Sequence, residues 1–129
     1  MSYFAIAIGG ALGALLRYGI AEASKNWLAL GSDSVFPAFP LGTFIANMLG
    51  AVLMGMLYQY FQRVPASEPV RLLLTTGFLG ALTTFSTFAL EGVNLFRAGQ
   101  TTTAVVYILL TNVLGLTLLF IGLLATSPK

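Results

Sequence analysis

Apolar residues run along this chain in four blocks of membrane-crossing length, about Tyr3 to Ala23, Leu41 to Phe61, Val70 to Leu95 and Thr102 to Ala125. A helix rising ~1.5 Å per residue needs ~20 apolar residues to cross the hydrocarbon core, so each block predicts one transmembrane helix. Between the first two lies GSDSVFPAFP, where Gly31, Pro37 and Pro40 punctuate an irregular loop, with Trp27 nearby as an interfacial anchor. RVPASEP and RAGQ make the other two connections, and links this short predict antiparallel neighbours. The pattern reads as an all-α membrane protein, a single four-helix transmembrane domain over residues 1–129, without internal repeats or low-complexity tracts. The start, MSYFAIAIGG, lacks the basic region of a cleaved signal and reads as a retained first helix.

Polar residues inside the blocks are few and clustered. In the second block Thr43 and Asn47 stand four apart, on one helical face. In the fourth, Tyr107, Thr111 and Gly115 share another such face, with Asn112 adjacent. An intramembrane amide is costly unless partnered, and interhelical glue, worth ~0.6 kcal/mol per hydrogen bond on average, is the plain reading of the Thr43/Asn47 face, one that a second polar track on another helix makes less comfortable. The third block is the least ordinary. GFLGALTTFSTFALE, from Gly77 to Glu91, carries Gly77, Gly80, four hydroxyls (Thr83, Thr84, Ser86 and Thr87) and two Phe one turn apart, Phe85 and Phe88. The glycines and the Thr pair lower helix propensity at mid-span, and Thr is a natural N-cap for a helix restarting there. This predicts a third helix broken near its middle, with free carbonyls at the end of one half suiting a cation and free N–H groups at the start of the next suiting an anion. A continuous helix with small residues at a packing seam is the alternative. Phe ring edges can solvate a small anion while the faces repel it, and the neighbouring hydroxyls can replace water around a dehydrated ion.

Composition narrows the chemistry. With 57% hydrophobic and 8% charged residues, against roughly 25% charged in average soluble domains, the chain belongs in a bilayer. It contains no Cys and no His, which removes thiolate and imidazole metal sites, Cys nucleophiles, disulfides and histidine relays. The carboxylates Glu22, Asp33, Glu68 and Glu91 are scattered, so an enzyme is not expected. No nucleic-acid partner is expected either.

Four crossings put Arg63, Arg71 and Lys129 on one side of the membrane, with Lys25, Arg97 and, by its lean, Arg17 on the other. Lys/Arg excess in short loops sets orientation, and a balanced count permits both insertions, hence dual topology and an antiparallel homodimer. Orientation by weaker cues is the alternative. A four-helix bundle fills its own centre with side chains, so a conduit needs a partner subunit. Gly9 with Gly13, Ala46 with Gly50, and Thr111 with Gly115 repeat a small-xxx-small spacing that lets helices approach closely.

Over nearly its full length the chain resembles the Fluc/CrcB fluoride channels: GGALGALLRY in the first block, GTFIANMLG in the second and, most specifically, GFLGALTTFSTF in the third. The resemblance implies a dual-topology antiparallel homodimer with two fluoride pores and a central structural sodium ion held by backbone carbonyls, here of Gly80 and Thr83. It implies an anion path lined by Phe85 and Phe88 as the phenylalanine box and by Asn47 as the pore asparagine. Thr43, Tyr107 and Thr111 correspond to its polar track, with Ser86 and Thr87 beside it. Glu91 matches an acidic residue just beyond the phenylalanines, and Arg17 the arginine of the first motif, as a vestibule charge or a snorkelling side chain. Gly115 stands where some relatives are expected to carry a hydroxyl. The activity implied is passive, fluoride-selective export through the inner membrane of a bacterium. A small proton-coupled multidrug exporter and a non-transporting assembly subunit are the alternatives. The exporter needs a mid-span carboxylate, whereas Glu22 and Glu91 lie toward the span ends, and a subunit gives no reason for the clustered Thr, Ser and Phe.

Overall fold

In the computed structural model, residues 1–30 and 38–127 are described, with backbone alone for 26–30. The loop positions Gly31, Asp33 and Pro37, the Trp27 side chain and Lys129 lie outside the described residues. Four helical stretches, Ser2–Lys25, Leu41–Phe61, Glu68–Arg97 and Thr101–Ala125, are long and apolar enough to cross a membrane.

Helix α1 (Ser2–Leu30) continues past Ala23, where the apolar block stops. Its extension is polar but locally supported: Lys25 Nζ lies 2.6 Å from Glu22 Oε1, one turn back. Helix α2 (Leu41–Phe61) begins directly after Pro40, whose carbonyl accepts the Phe44 N–H at 3.1 Å. Proline suits this place because it needs no donor of its own.

The third stretch is a composite of helix α3 (Glu68–Leu72), a π-helical segment (Leu73–Leu79), a single turn α4 (Gly80–Leu82), and helix α5 (Phe85–Arg97). Thr83 (φ −81°, ψ 152°) and Thr84 (φ −149°, ψ 117°) between α4 and α5 are extended. Helix α5 ends in a Schellman turn. Gly99, at φ +74°, supplies the left-handed residue, while its N–H donates to Phe96 O and that of Gln100 to Leu95 O. Helix α6 (Thr101–Ala125) follows at once.

Two backbone seams hold these elements. Helix α1 packs along the π-helical segment and α4, and α2 packs along α6. At the first seam, a Cβ on Gly9 would strike the Leu73 carbonyl, and one on Gly13 the Phe78 carbonyl. At the second, Gly55 lies against the Leu119 carbonyl and Gly122 against that of Val52. The seams rest on van der Waals packing because lipid tails give helices no hydrophobic reason to associate. The Gly9/Gly13 pair therefore serves packing within the chain. Gly50 faces the Thr83 side chain and Gly115 the end of Met48.

Two buried clusters flank the extended pair. One joins Ala46 of α2 to Leu79 and Leu82, and the other joins Phe88 and Leu95 of α5 to Ala104 and Tyr107 of α6. Outward-facing apolar side chains such as Leu15, Leu116 and Phe120 are exposed, as lipid-facing positions are in an isolated chain.

Candidate functional site

The extended residues Thr83 and Thr84 take their backbone partners from elsewhere. In a continuous helix the Thr84 N–H would bond to the Gly80 carbonyl and the Thr87 N–H to that of Thr83. Instead, Thr84 N–H donates to Asn47 Oδ1 at 2.8 Å, and Asn47 Nδ2 donates to Thr84 O at 3.3 Å. The Thr87 N–H donates at 3.2 Å to Thr84 Oγ1, which makes Thr84 the N-cap of α5. Thr84 Oγ1 donates to Thr87 Oγ1 at 3.0 Å, and Ser86 Oγ is 3.4 Å away. The carbonyls of Gly80 and Thr83 thus lose their helical donors. Two hard neutral oxygens at a half-helix end are a fitting donor set for a small monovalent cation.

Arg17, one turn beyond Gly13 on α1, donates from Nε to the Ala81 carbonyl at 3.1 Å. This long side chain reaches the third stretch instead of snorkelling away. It lines a cavity of about 260 Å³ together with Tyr18, Thr43, Thr87 and Glu91.

Glu91 gathers two residues of the sequence-predicted polar track. Thr43 Oγ1 donates to its Oε1 and Tyr107 Oη to its Oε2, each at 2.8 Å. These two hydrogen bonds tie α2, α5 and α6 together. Glu91 also borders a second cavity, shared with Asn94 and Gln100.

Thr111 stands apart from this trio. On the same helix Asn112 Nδ2 donates to Ile108 O and Thr117 Oγ1 to Val113 O, both at 2.8 Å, whereas the buried Thr111 hydroxyl has no partner among the described residues. It lines a groove of about 340 Å³ with Asn47, Thr83, Thr84, Phe85 and Phe88. Phe88 is 9% exposed, against the Tyr107 ring at 5.2 Å between centroids. Phe85 is 79% exposed, its ring 5.9 Å from that of Phe88 and tilted by 49°. Gly115 lies at the same groove.

The predicted residues therefore fall into two neighbouring groups, Asn47, Phe85, Phe88 and Thr111 at the groove, and Thr43, Tyr107 and Glu91 in the hydroxyl–carboxylate trio. Thr87 lines the Arg17 cavity, and Ser86 is exposed beside Thr84. Thr84, which the sequence offers only as one of four hydroxyls and as an N-cap within the Thr pair, holds the centre of the network.

The model of the CrcB-like protein family, Camphor Resistance (CrcB), matches residues 4–123. The fluoride-specific ion channel FluC of Desulfotalea psychrophila is 42% identical over 122 residues, covering 95% of this chain and 89% of that protein. Its namesake from Hydrogenobaculum sp. is 43% identical over 123 residues, covering 95% and 94%. That of Aquifex aeolicus is 39% identical over 120 residues, covering 92% and 91%. With four apolar spans and a family match over almost its whole length, this chain is a multi-pass membrane protein and belongs to the CrcB family.

Proposed function

We propose that the protein is a passive, fluoride-selective channel that lets fluoride leave the cytoplasm across a bacterial inner membrane, acting as an antiparallel, dual-topology homodimer with two pores. The observation that carries this reading is the Thr111 hydroxyl, buried and without a partner among the described residues, in a groove it shares with Asn47 and both phenylalanines. Leaving such a group unpaired costs about 1–3 kcal/mol, which a small hard anion accepting its hydrogen bond would offset. The relatives named fluoride-specific ion channel support the same anion.

Phe85 and Phe88 turn their ring edges to the passing ion and keep larger, hydrated anions out. Asn47 and Thr84 shape the groove wall, and Ser86, Thr87, Thr43, Tyr107 and Thr111 are the hydroxyls a dehydrated anion meets in place of water. Thr43 and Tyr107 hydroxyls point at Glu91, so either must turn from that carboxylate before it serves fluoride. Arg17 adds positive charge beside Glu91 in the adjoining cavity. The groove is open along one side and leaves Phe85 uncovered, which an inverted second copy would close. A sodium ion would be held by the Gly80 and Thr83 carbonyls of both subunits, where it neutralises the partial negative charge of the facing half-helix ends.

Purified protein reconstituted into liposomes tests this directly, with fluoride and chloride release followed by ion-selective electrodes. Fluoride should drain while chloride stays trapped. Chloride release comparable to that of fluoride would sink the assignment.

A further inference from the structure

The lapse at Thr83–Thr84 also strands the carbonyls of Ala81 and Leu82, whose helical donors would have been the Phe85 and Ser86 N–H groups. Phe85 opens α5 on the far side of the extended pair, and the Ala81 carbonyl is met by Arg17 Nε at 3.1 Å. How α1 delivers that nitrogen follows from its spacing. Gly9, Gly13 and Arg17 are successive i, i+4 positions on one face, the two glycines pressed on Leu73 and Phe78 of the π-helical segment. With both backbones in contact at Gly13, the next residue of the stripe arrives beside Ala81.

We infer that Arg17 is a positioning residue whose Nε caps the first half of the third span, and that it and Asn47 form a two-sided bracket around Thr83–Thr84. Asn47 holds the Thr84 N–H and carbonyl, and Arg17 holds the Ala81 carbonyl. A cation at a helix C-terminus also meets the negative end of the helix dipole. By holding Ala81, Arg17 leaves the Gly80 and Thr83 carbonyls free for the proposed cation. The inference rests on the backbone geometry and not on fluoride conduction.

The atom involved makes the idea separable from a role of charge alone. Gln carries its amide nitrogen at the same number of bonds from Cα as Arg carries Nε, so Arg17→Gln keeps the donor and removes the charge. Lys has a methylene at that place, so Arg17→Lys keeps the charge and loses the donor. Hydrogen–deuterium exchange of the full chain in detergent, read at the amides of Thr83 and Thr84, distinguishes them. Arg17→Ala and Arg17→Lys should exchange about tenfold faster than wild type, the size of one lost charge-assisted bond, and Arg17→Gln should restore most of the protection. Exchange unchanged in all three variants would overturn the inference. So would protection by Lys exceeding that by Gln, which would make Arg17 a charge and not a cap. Equal loss of folded protein in the Gln and Lys variants would also overturn it, because the isosteric donor would then have failed to replace the guanidinium. A chain that conducts no fluoride leaves this readout intact, so failure of the channel assignment remains distinguishable.

Discussion

The third span departs from the α-helix twice within a dozen residues, and the two departures are of different kinds. In the upstream half the backbone widens into a π-helix from Leu73 to Leu79, where Gly9 and Gly13 let α1 rest directly on its carbonyls. Main chain meets main chain there: the atoms nearest Gly9 and Gly13 are backbone. In the downstream half the helical ladder stops at Thr83 and Thr84, and side chains from α1 and α2 take over its bonds. The first irregularity is absorbed by packing; the second creates polar groups that need partners, beside a groove large enough to hold some. Glycine and hydroxyl residues at bilayer depth thus mark two different things, a close approach and a site.

A substitution at the seam should strike assembly. Gly13→Val places its side chain on the Phe78 carbonyl, which is backbone and cannot turn aside. Overpacking of this sort costs about 3 kcal/mol or more, so the variant should yield little monodisperse protein by size-exclusion chromatography in detergent. Normal yield and thermal stability would show that the seam is softer than the structure draws it.

A substitution at the groove should strike transport and spare assembly. Phe85 is largely exposed, and Phe85→Ala removes few packing contacts within the chain. Fluoride release from liposomes should fall at least about tenfold, equivalent to ~1.4 kcal/mol on the barrier, with the unfolding temperature nearly unchanged. Wild-type flux in this variant would reduce Phe85 to a lipid-facing or dimer-packing residue.

The smallest structural effect is expected at Thr111. Thr111→Val preserves shape and removes the unpartnered hydroxyl, so the protein should be unchanged or up to about 1 kcal/mol more stable, whereas fluoride flux drops. A clear loss of stability in thermal unfolding would mean that the hydroxyl has a structural partner and that the groove lost its best evidence.

Four apolar spans were legible in the sequence because hydropathy adds up along a helix whatever surrounds it. The region of interest was legible too, since hydroxyls and glycines at Gly77–Glu91 stand out from an apolar background. What the residues at the site touch was much less so. Thr43 and Asn47 share a helix face, yet one bonds to Glu91 and the other clasps the Thr84 backbone. The π-helical segment had no sequence signal, because the propensity of LLTTGFL does not distinguish a π-helical turn from an α-helical one. Gly9 and Gly13 declared that something comes close without saying what.

By itself, then, the sequence determined the number of spans, the place where polar chemistry interrupts them and the resemblance to a family. Local periodicity and composition carry that information. The tertiary structure alone decided that Arg17 reaches Ala81 across 64 residues, that Thr43 reaches Glu91 across 48, and that Thr111 finds no partner among the described residues. A hydrogen bond exists only within about 3.5 Å, and at these separations that distance is set by how whole helices pack and not by any residue's neighbours in the chain.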